Sequence, residues 1–445
     1  MVVTKSEKRG IAHLLRRAGF GATPDELRHY QALGYAGAVE ELLNPARIDN
    51  SELEENVRLQ DFDFTRLDDL KRWWIYRMAF TRRPLEEKMA LFWHGHFATS
   101  ARKVRNTYLM YLQNLLLREH ALGDFHRLLL GVSQDPAMIL WLDNQQNRRG
   151  KPNENYAREV MELFTLGLGN YSEKDIKDAA RAFTGWHVRN GSFAFARFQH
   201  DFGQKTVLNT TGNLNGDEVV AILVRQPATA RFLARKLVKF FVSDPPDESI
   251  VKAAAEAYIT GEHEIAPMLR AIFTHRDFLS ESAYHAKIKS PVELVIGTLK
   301  TLQIRQLDMN LPSILARMGQ NLFEPPNVKG WDGGPAWIST AAIMERFNYS
   351  SHVTGEKFDE LQTYKSPGQL IAESGLENAG QLVDYFLRLL VDGDVPRATR
   401  ARLVAYVSST PDGTPLQTLP DETTLDTKLR GVVRLIMALP TYQLA

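Results

Sequence analysis

The stretch from Lys88 to Ser100, KMALFWHGHFATS, places two histidines one residue apart among Phe92, Trp93 and Phe97. Such a pair can ligate a metal ion, act as a base with its helper, or sit satisfied in a core. Residues two apart on a continuous helix point about 200° away from each other. His94 and His96 therefore face one ion only if Gly95 ends or distorts the helix, as glycine does at helix caps. A second stretch, Asp143 to Gly167 (DNQQNRRGKPNENYAREVMELFTLG), is a polar, basic loop followed by a helix started by Pro152 and Asn153. Asn155, Arg158, Glu159 and Glu162 recur on it at i, i+3, i+4 and i+7, one polar stripe. The plain reading of such a stripe is a solvated face. The sharper one is a set of acids, with Glu154, in which like-charge repulsion tunes one carboxyl against another or selects a carboxylate for a metal.

Two further stretches could serve the same pocket. QHDFGQKT, Gln199 to Thr206, sets His200 beside Asp201 with Lys205 close behind, either in a loop that presents them to a ligand or in a turn where Asp201 binds its own backbone. His187, just after FTGW, is one more imidazole nearby. LFEPPNVKGWDGGPAW, Leu322 to Trp337, reads as a rigid aromatic loop that wedges elements together, with Lys329 and Trp331 as candidate substrate contacts. Phosphate-loop, dinucleotide-binding, HExxH and GxSxG signatures are absent, which disfavours the corresponding nucleotide enzymes, proteases and α/β-hydrolases.

Positioning four scattered stretches requires a large framework, and helical periodicity supplies it. Pro84 to Trp93 opens on proline and acids and places Leu85, Met89 and Phe92 on one face. Tyr108–His120, Asp124–Val132, Asn153–Leu166, Ser172–Trp186, Pro227–Val242, Glu248–Tyr258, Ala266–Thr274, Pro291–Gln303, Pro312–Met318 and Ile338–Phe347 read the same way. The exception lies at about 188–210, where Phe193, Phe195 and Arg197 alternate after Asn190–Gly191, a strong hairpin turn, and Thr206–Leu208 offers another strand. The expected fold is mainly α, with a small β-hairpin inserted in a helical core domain of residues 1–350. A helical C-terminal subdomain at 366–445, with helices at Ser366–Ser374, Asn378–Val391 and Thr424–Leu439, is expected to pack on that core after a polar linker at about 350–365.

Composition narrows the chemistry. The 445 residues carry 54 basic and 53 acidic side chains, net +1, which gives no reason to expect nucleic acid as a partner. With no cysteine, thiolate catalysis and Cys-ligated metals are excluded, leaving His, Asp, Glu and Asn for any divalent ion. No segment approaches the roughly 20 apolar residues of a membrane span. The N-terminal MVVTKSEKRGIAHLLRRAGFG lacks a signal-peptide core, so the chain as given is expected in the cytoplasm.

FWHGHFATS, LDNQQNRRGKPNENYAREVMELFTLG, AARAFTGW, HDFGQKT, FLARKLVKFF, SPVEL and PPNVKGW, in that order, resemble a large bacterial family known as domain of unknown function number eighteen hundred. The resemblance spans nearly the whole chain and implies a mostly helical protein with one shared site. It carries over His94, His96, Asn153, Glu154, Asn155, Arg158, Glu159, Glu162, Trp186, His200, Asp201, Lys205 and Trp331. Members are often exported and encoded beside a sulfatase-like family, which implies glycan or polymer processing and a sulfatase-like partner. The expected enzyme is a hydrolase. Glu159, Glu162, His200, Asp201 and His94 form its catalytic set; Asn153, Glu154, Asn155, Arg158, Trp186, Lys205 and Trp331 hold the substrate. The alternatives are a Zn or non-haem Fe site on His94, His96 and His200, serving hydrolysis or oxidation, and a helical binding or scaffold protein without catalysis.

Overall fold

The computed structural model describes residues 5–355, 366–371, 375–410 and 412–445. The protein is 63% helical, and its only sheets among the described residues are two antiparallel pairs. The mainly α expectation holds. Strands β1 (Trp186–Arg189) and β2 (Ser192–Phe195) pair across Asn190 and Gly191, both at positive φ, as a tight right-twisting hairpin requires. The expected β insertion is present, and it carries a second hairpin. Strands β3 (Lys205–Val207) and β4 (Thr210–Gly212) form the second one, turning through Leu208 and Asn209 at positive φ.

The chain divides into two compact units: Val39–Ala283 with Asn321–Asp332, and Met1–Ala38 with Tyr284–Gln320 and Gly333–Ala445. The second of these units is discontinuous in sequence and takes in residues 366–445. Residues 366–445 share a unit with the first 38 residues because long-range bonds tie them. Asp392 accepts from Arg16 (2.6 Å) and from the Tyr284 hydroxyl (2.6 Å), and Thr298 and Tyr442 share a hydrogen bond of 2.6 Å. Within that unit, helix Glu422–Met437 packs against Thr340–Val353, Ala379–Val391 and Arg397–Val407. Most of the expected linker, 356–365, lies outside the described residues. No helix among those described is long and apolar enough to cross a membrane.

The unit containing the polar motifs is organised around helix Pro84–His96, nearly all of whose side chains are buried and which packs on Thr107–Glu119. Its Glu87 is fully buried and accepts from Trp74 (3.1 Å), Arg77 (3.1 Å) and Arg118 (2.6 and 3.0 Å). A second layer stacks Pro227–Phe241 on Glu248–Thr260 and that helix on Ile265–Thr274. Trp186, at the start of β1, is 3% exposed, and a Cβ at Gly216 would stand 2.2 Å from its ring. Glycine at 216 is what lets the helix that begins there approach the indole.

Candidate functional site

Helix Pro84–His96 runs unbroken through Gly95 and ends with the Phe97 N–H donating to the Trp93 carbonyl (2.8 Å). The break expected at Gly95 does not occur, so the two imidazoles diverge. His94 Nε2 accepts the backbone N–H of Phe323 at 3.1 Å, and its ring contacts Trp74 and, at 5.6 Å, Trp331. That bond needs an unprotonated Nε2, consistent with burial pushing the imidazole pKa down to about 3. His94 thus anchors the loop 321–332. Gly330, at φ +82, sits on the same helix so closely that a Cβ there would lie 2.4 Å from the Gly95 carbonyl oxygen.

His96 anchors a different element. Its Nε2–H donates to the Phe164 carbonyl (3.0 Å), while Nδ1 accepts from Lys236 Nζ (3.2 Å), which also donates to the Leu163 carbonyl (3.1 Å). Carbonyls in the last turn of a helix lack intrahelical donors, and a cation there complements the helix dipole. Burial, then the Lys236 charge, hold the His96 pKa well below its usual range, and burial lowers that of Lys236 to about 8. A base with a depressed folded pKa binds fewer protons than in the unfolded chain between that value and its ordinary 10.5, so folding stability rises with pH across that window. Lys236→Met is expected to abolish this rise and to cost about 1–3 kcal/mol, since Leu163 O and His96 Nδ1 lose their donor. Urea unfolding at several pH values checks it; an unchanged slope contradicts the assignment.

The metal set expected on His94, His96 and His200 is not assembled. Among the described residues no group of three or more His, Asp or Glu side chains is placed to hold an ion. The physical reason is that the unbroken helix sends His94 and His96 to different elements, the Phe323 N–H and the Phe164 carbonyl, while His200 is held in the hairpin segment on the Thr184 carbonyl at 2.8 Å.

Asn153 caps the helix that starts at Glu154, accepting the Asn155 N–H (3.0 Å), and donates to the Asp143 carbonyl (3.1 Å); Asn155 donates to the Leu142 carbonyl (3.0 Å). Both amides fasten the helix start to the preceding loop. Arg158 pairs with Glu173 through two bonds (2.8 and 2.9 Å) and with Glu154 at 3.3 Å. After Glu159 the helix widens: Val160–Thr165 is a π-turn, with Leu166 N–H on the Met161 carbonyl (2.8 Å), a feature enriched at functional sites. Glu159 and Glu162 flank that transition. Glu159 is half-buried and has no hydrogen-bond partner among the described residues. Burial and then the charge of Glu162 raise its pKa, against the opposing pull of Arg158 and Lys329. Glu162 instead accepts from the Tyr171 hydroxyl (2.9 Å), whose own pKa burial and that bond raise to about 12.

The HDFG stretch is differently employed. Asp201 accepts two bonds from Arg181 (2.8 and 3.2 Å) and the Gly203 N–H (2.8 Å); the Arg181 bond holds its pKa below the ordinary range. Lys205, 1% exposed, donates to the carbonyls of Asp201 (2.5 Å) and Gly203 (3.0 Å). His200 is 2% exposed and Trp186 packs on Phe183 and Phe193. These four residues hold the two hairpins in place, and among the described residues no hydrogen bond or ion pair joins them to Glu159 or Glu162. Glu159 and Glu162 thus lie about one turn apart on the helix that starts at Glu154, the Lys329 charge acts on Glu159, and His94 and His96 anchor the loop 321–332 and the end of the π-turn. Tyr171 and Lys236 escaped the sequence reading. Gly167 and Gly169, both at positive φ, mark the chain reversal that returns Tyr171 to Glu162, the one local signal available for it.

An open cleft of about 750 Å³ lies at the start of the same helix, lined by Gln145, Gln146, Arg148, Lys151 and Pro152, by Asn153 and Glu154, and by His187 and Gln199. His187 and Gln199 are joined through Nε2 and Oε1 at 2.7 Å. A family profile described as "Protein of unknown function (DUF1800)" matches residues 13–444. Searches of curated proteins and of solved structures returned no match.

Proposed function

Since the chain belongs to the DUF1800 family of unknown function, its own geometry must suggest the chemistry, and we propose a hydrolase acting on a polyhydroxylated polymer, with Glu159 as general acid and Glu162 as its carboxylate partner. One observation carries this reading. Two acids three residues apart at a π-turn have different environments: Glu159 is half-buried, without a donor, and held toward its protonated form, while Glu162 keeps a tyrosine hydroxyl. Environments that push two carboxyls apart are what assign an acid and a base within a pair. The charge of Lys329, on the loop that His94 anchors, acts on Glu159 and in this reading stabilises developing negative charge. The cleft at the start of the helix supports a ligand-binding reading over a scaffold, whose motif surface would be flat or filled.

The test is a polysaccharide panel assayed for release of reducing ends. The expected outcome is turnover of one substrate class by the wild type and its loss in Glu159→Gln, whose amide cannot deliver a proton. Full activity in that variant would refute the assignment.

A further inference from the structure

The tryptophans expected to hold the substrate do not stand free: Trp186 is buried and Trp331 lies against His94. Three exposed aromatics of this unit cluster elsewhere, from the end of β2 onward. Phe195 is 47%, Phe198 77% and Phe202 45% exposed, far more than packing alone leaves for three phenylalanines within eight residues. Phe198 belongs to the same short turn, Arg197–Gln199, as the Gln199 that lines the cleft. Phe195 and Phe202 flank the buried His200 ring at 5.3 and 4.7 Å, so this aromatic segment rests on a fixed base. Arg197 stands over the Phe202 ring.

The charge of the cleft is one-sided. Arg148 and Lys151 are exposed on its wall and make no ion pair among the described residues, whereas its single carboxylate, Glu154, is engaged by Arg158. Unspent cations on a cleft that also takes in Gln199, the next residue after the exposed Phe198, suit a ligand with regularly spaced negative charge and flat apolar faces. Two cations with a near-neutral chain are too few for the phosphate density of a nucleic acid.

We propose that this cleft and its phenylalanine rim form a subsite for an acidic polysaccharide chain, the carboxylates held by Arg148 and Lys151 and a sugar ring stacked on Phe198. The inference rests on the polymer-acting reading of Glu159 and names the substrate class. All three side chains are exposed, so their replacement leaves the fold intact, which a melting curve verifies.

Binding of polygalacturonate, neutral dextran and a single-stranded oligothymidylate is measured by calorimetry at low salt. The wild type is expected to bind polygalacturonate and not dextran. The Arg148→Ser/Lys151→Ser double variant should bind about tenfold more weakly or worse, and Phe198→Ala about fivefold. Equal binding by the double variant, no binding of polygalacturonate at all, or tighter binding of the oligonucleotide would each overturn the proposal. Glu159→Gln separates the two readings, since it should bind polygalacturonate as the wild type does. Unchanged turnover in Glu159→Gln with cleft-dependent binding defeats the catalytic assignment alone; binding indifferent to Arg148 and Lys151 with turnover lost in Glu159→Gln defeats the subsite alone.

Discussion

Glu87→Gln is expected to destabilise the protein by about 3–5 kcal/mol, the cost of breaking a buried ion pair from one side. Glu87 is the shared counter-charge of Arg77 and Arg118. Arg77 retains Glu54 (2.9 and 2.7 Å), but Arg118 is left with the Asn114 amide oxygen at 2.7 Å and an Nη1 that is already buried without a partner. The uncompensated Arg118 guanidinium therefore dominates the loss. Burial alone would raise the Glu87 pKa; Arg118 and then Arg77 outweigh it and hold it below the ordinary value. A carboxyl with a depressed folded pKa contributes stability above its unfolded value that is lost as pH falls through the folded one. The gap between wild type and variant in urea unfolding should accordingly narrow in acid. A difference below about 1 kcal/mol at neutral pH would show that the network is not what fixes helix Pro84–His96.

Glu159→Gln is expected to lower turnover of the polymer substrate by about 10²–10⁴, the range for loss of a general acid. The pH profile should change as well. Raised by burial and by Glu162, Glu159 stays protonated to higher pH than a free carboxyl, so the wild-type rate should fall as pH rises through its folded value. Glu162→Gln removes the like charge and should move that limb to lower pH. The same shift has a stability cost: a carboxyl with a raised folded pKa favours the folded state below its unfolded value and loses that contribution as pH rises through the folded one. An unmoved limb in Glu162→Gln would mean that another group sets it.

The helical frame was legible because buried faces repeat with a period near 3.6 residues, and Pro84, Pro227 and Pro291 mark helix starts that the structure retains. Asn190–Gly191 announced its hairpin through the positive φ that its turn demands. The helices Ser51–Leu59, Leu67–Phe80 and Arg397–Val407 give no such signal, and the discontinuous course of the two units is not visible in sequence. Asp392 finds Arg16 across the sequence, and no local pattern encodes such a pair. The same limit governs the site. The polar stripe pointed to Glu159 and Glu162, but the roles of the histidines depend on Phe323, Phe164 and Lys236, partners known only once the chain is folded. HDFG drew notice because a His–Asp pair is chemically versatile, and sequence could not show that Arg181 and the Thr184 carbonyl are its partners.

The acid role of Glu159 rests on its raised pKa, which a titration reads without any substrate. With ¹³C-labelled glutamate side chains and assignment by Glu159→Gln and Glu162→Gln, carbon chemical shifts followed against pH should place the Glu159 midpoint above the ordinary glutamate value. Removing the Glu162 charge should bring that midpoint down. A Glu159 carboxyl that titrates at or below the ordinary value, or that ignores the loss of Glu162, would contradict the acid–partner assignment at its root.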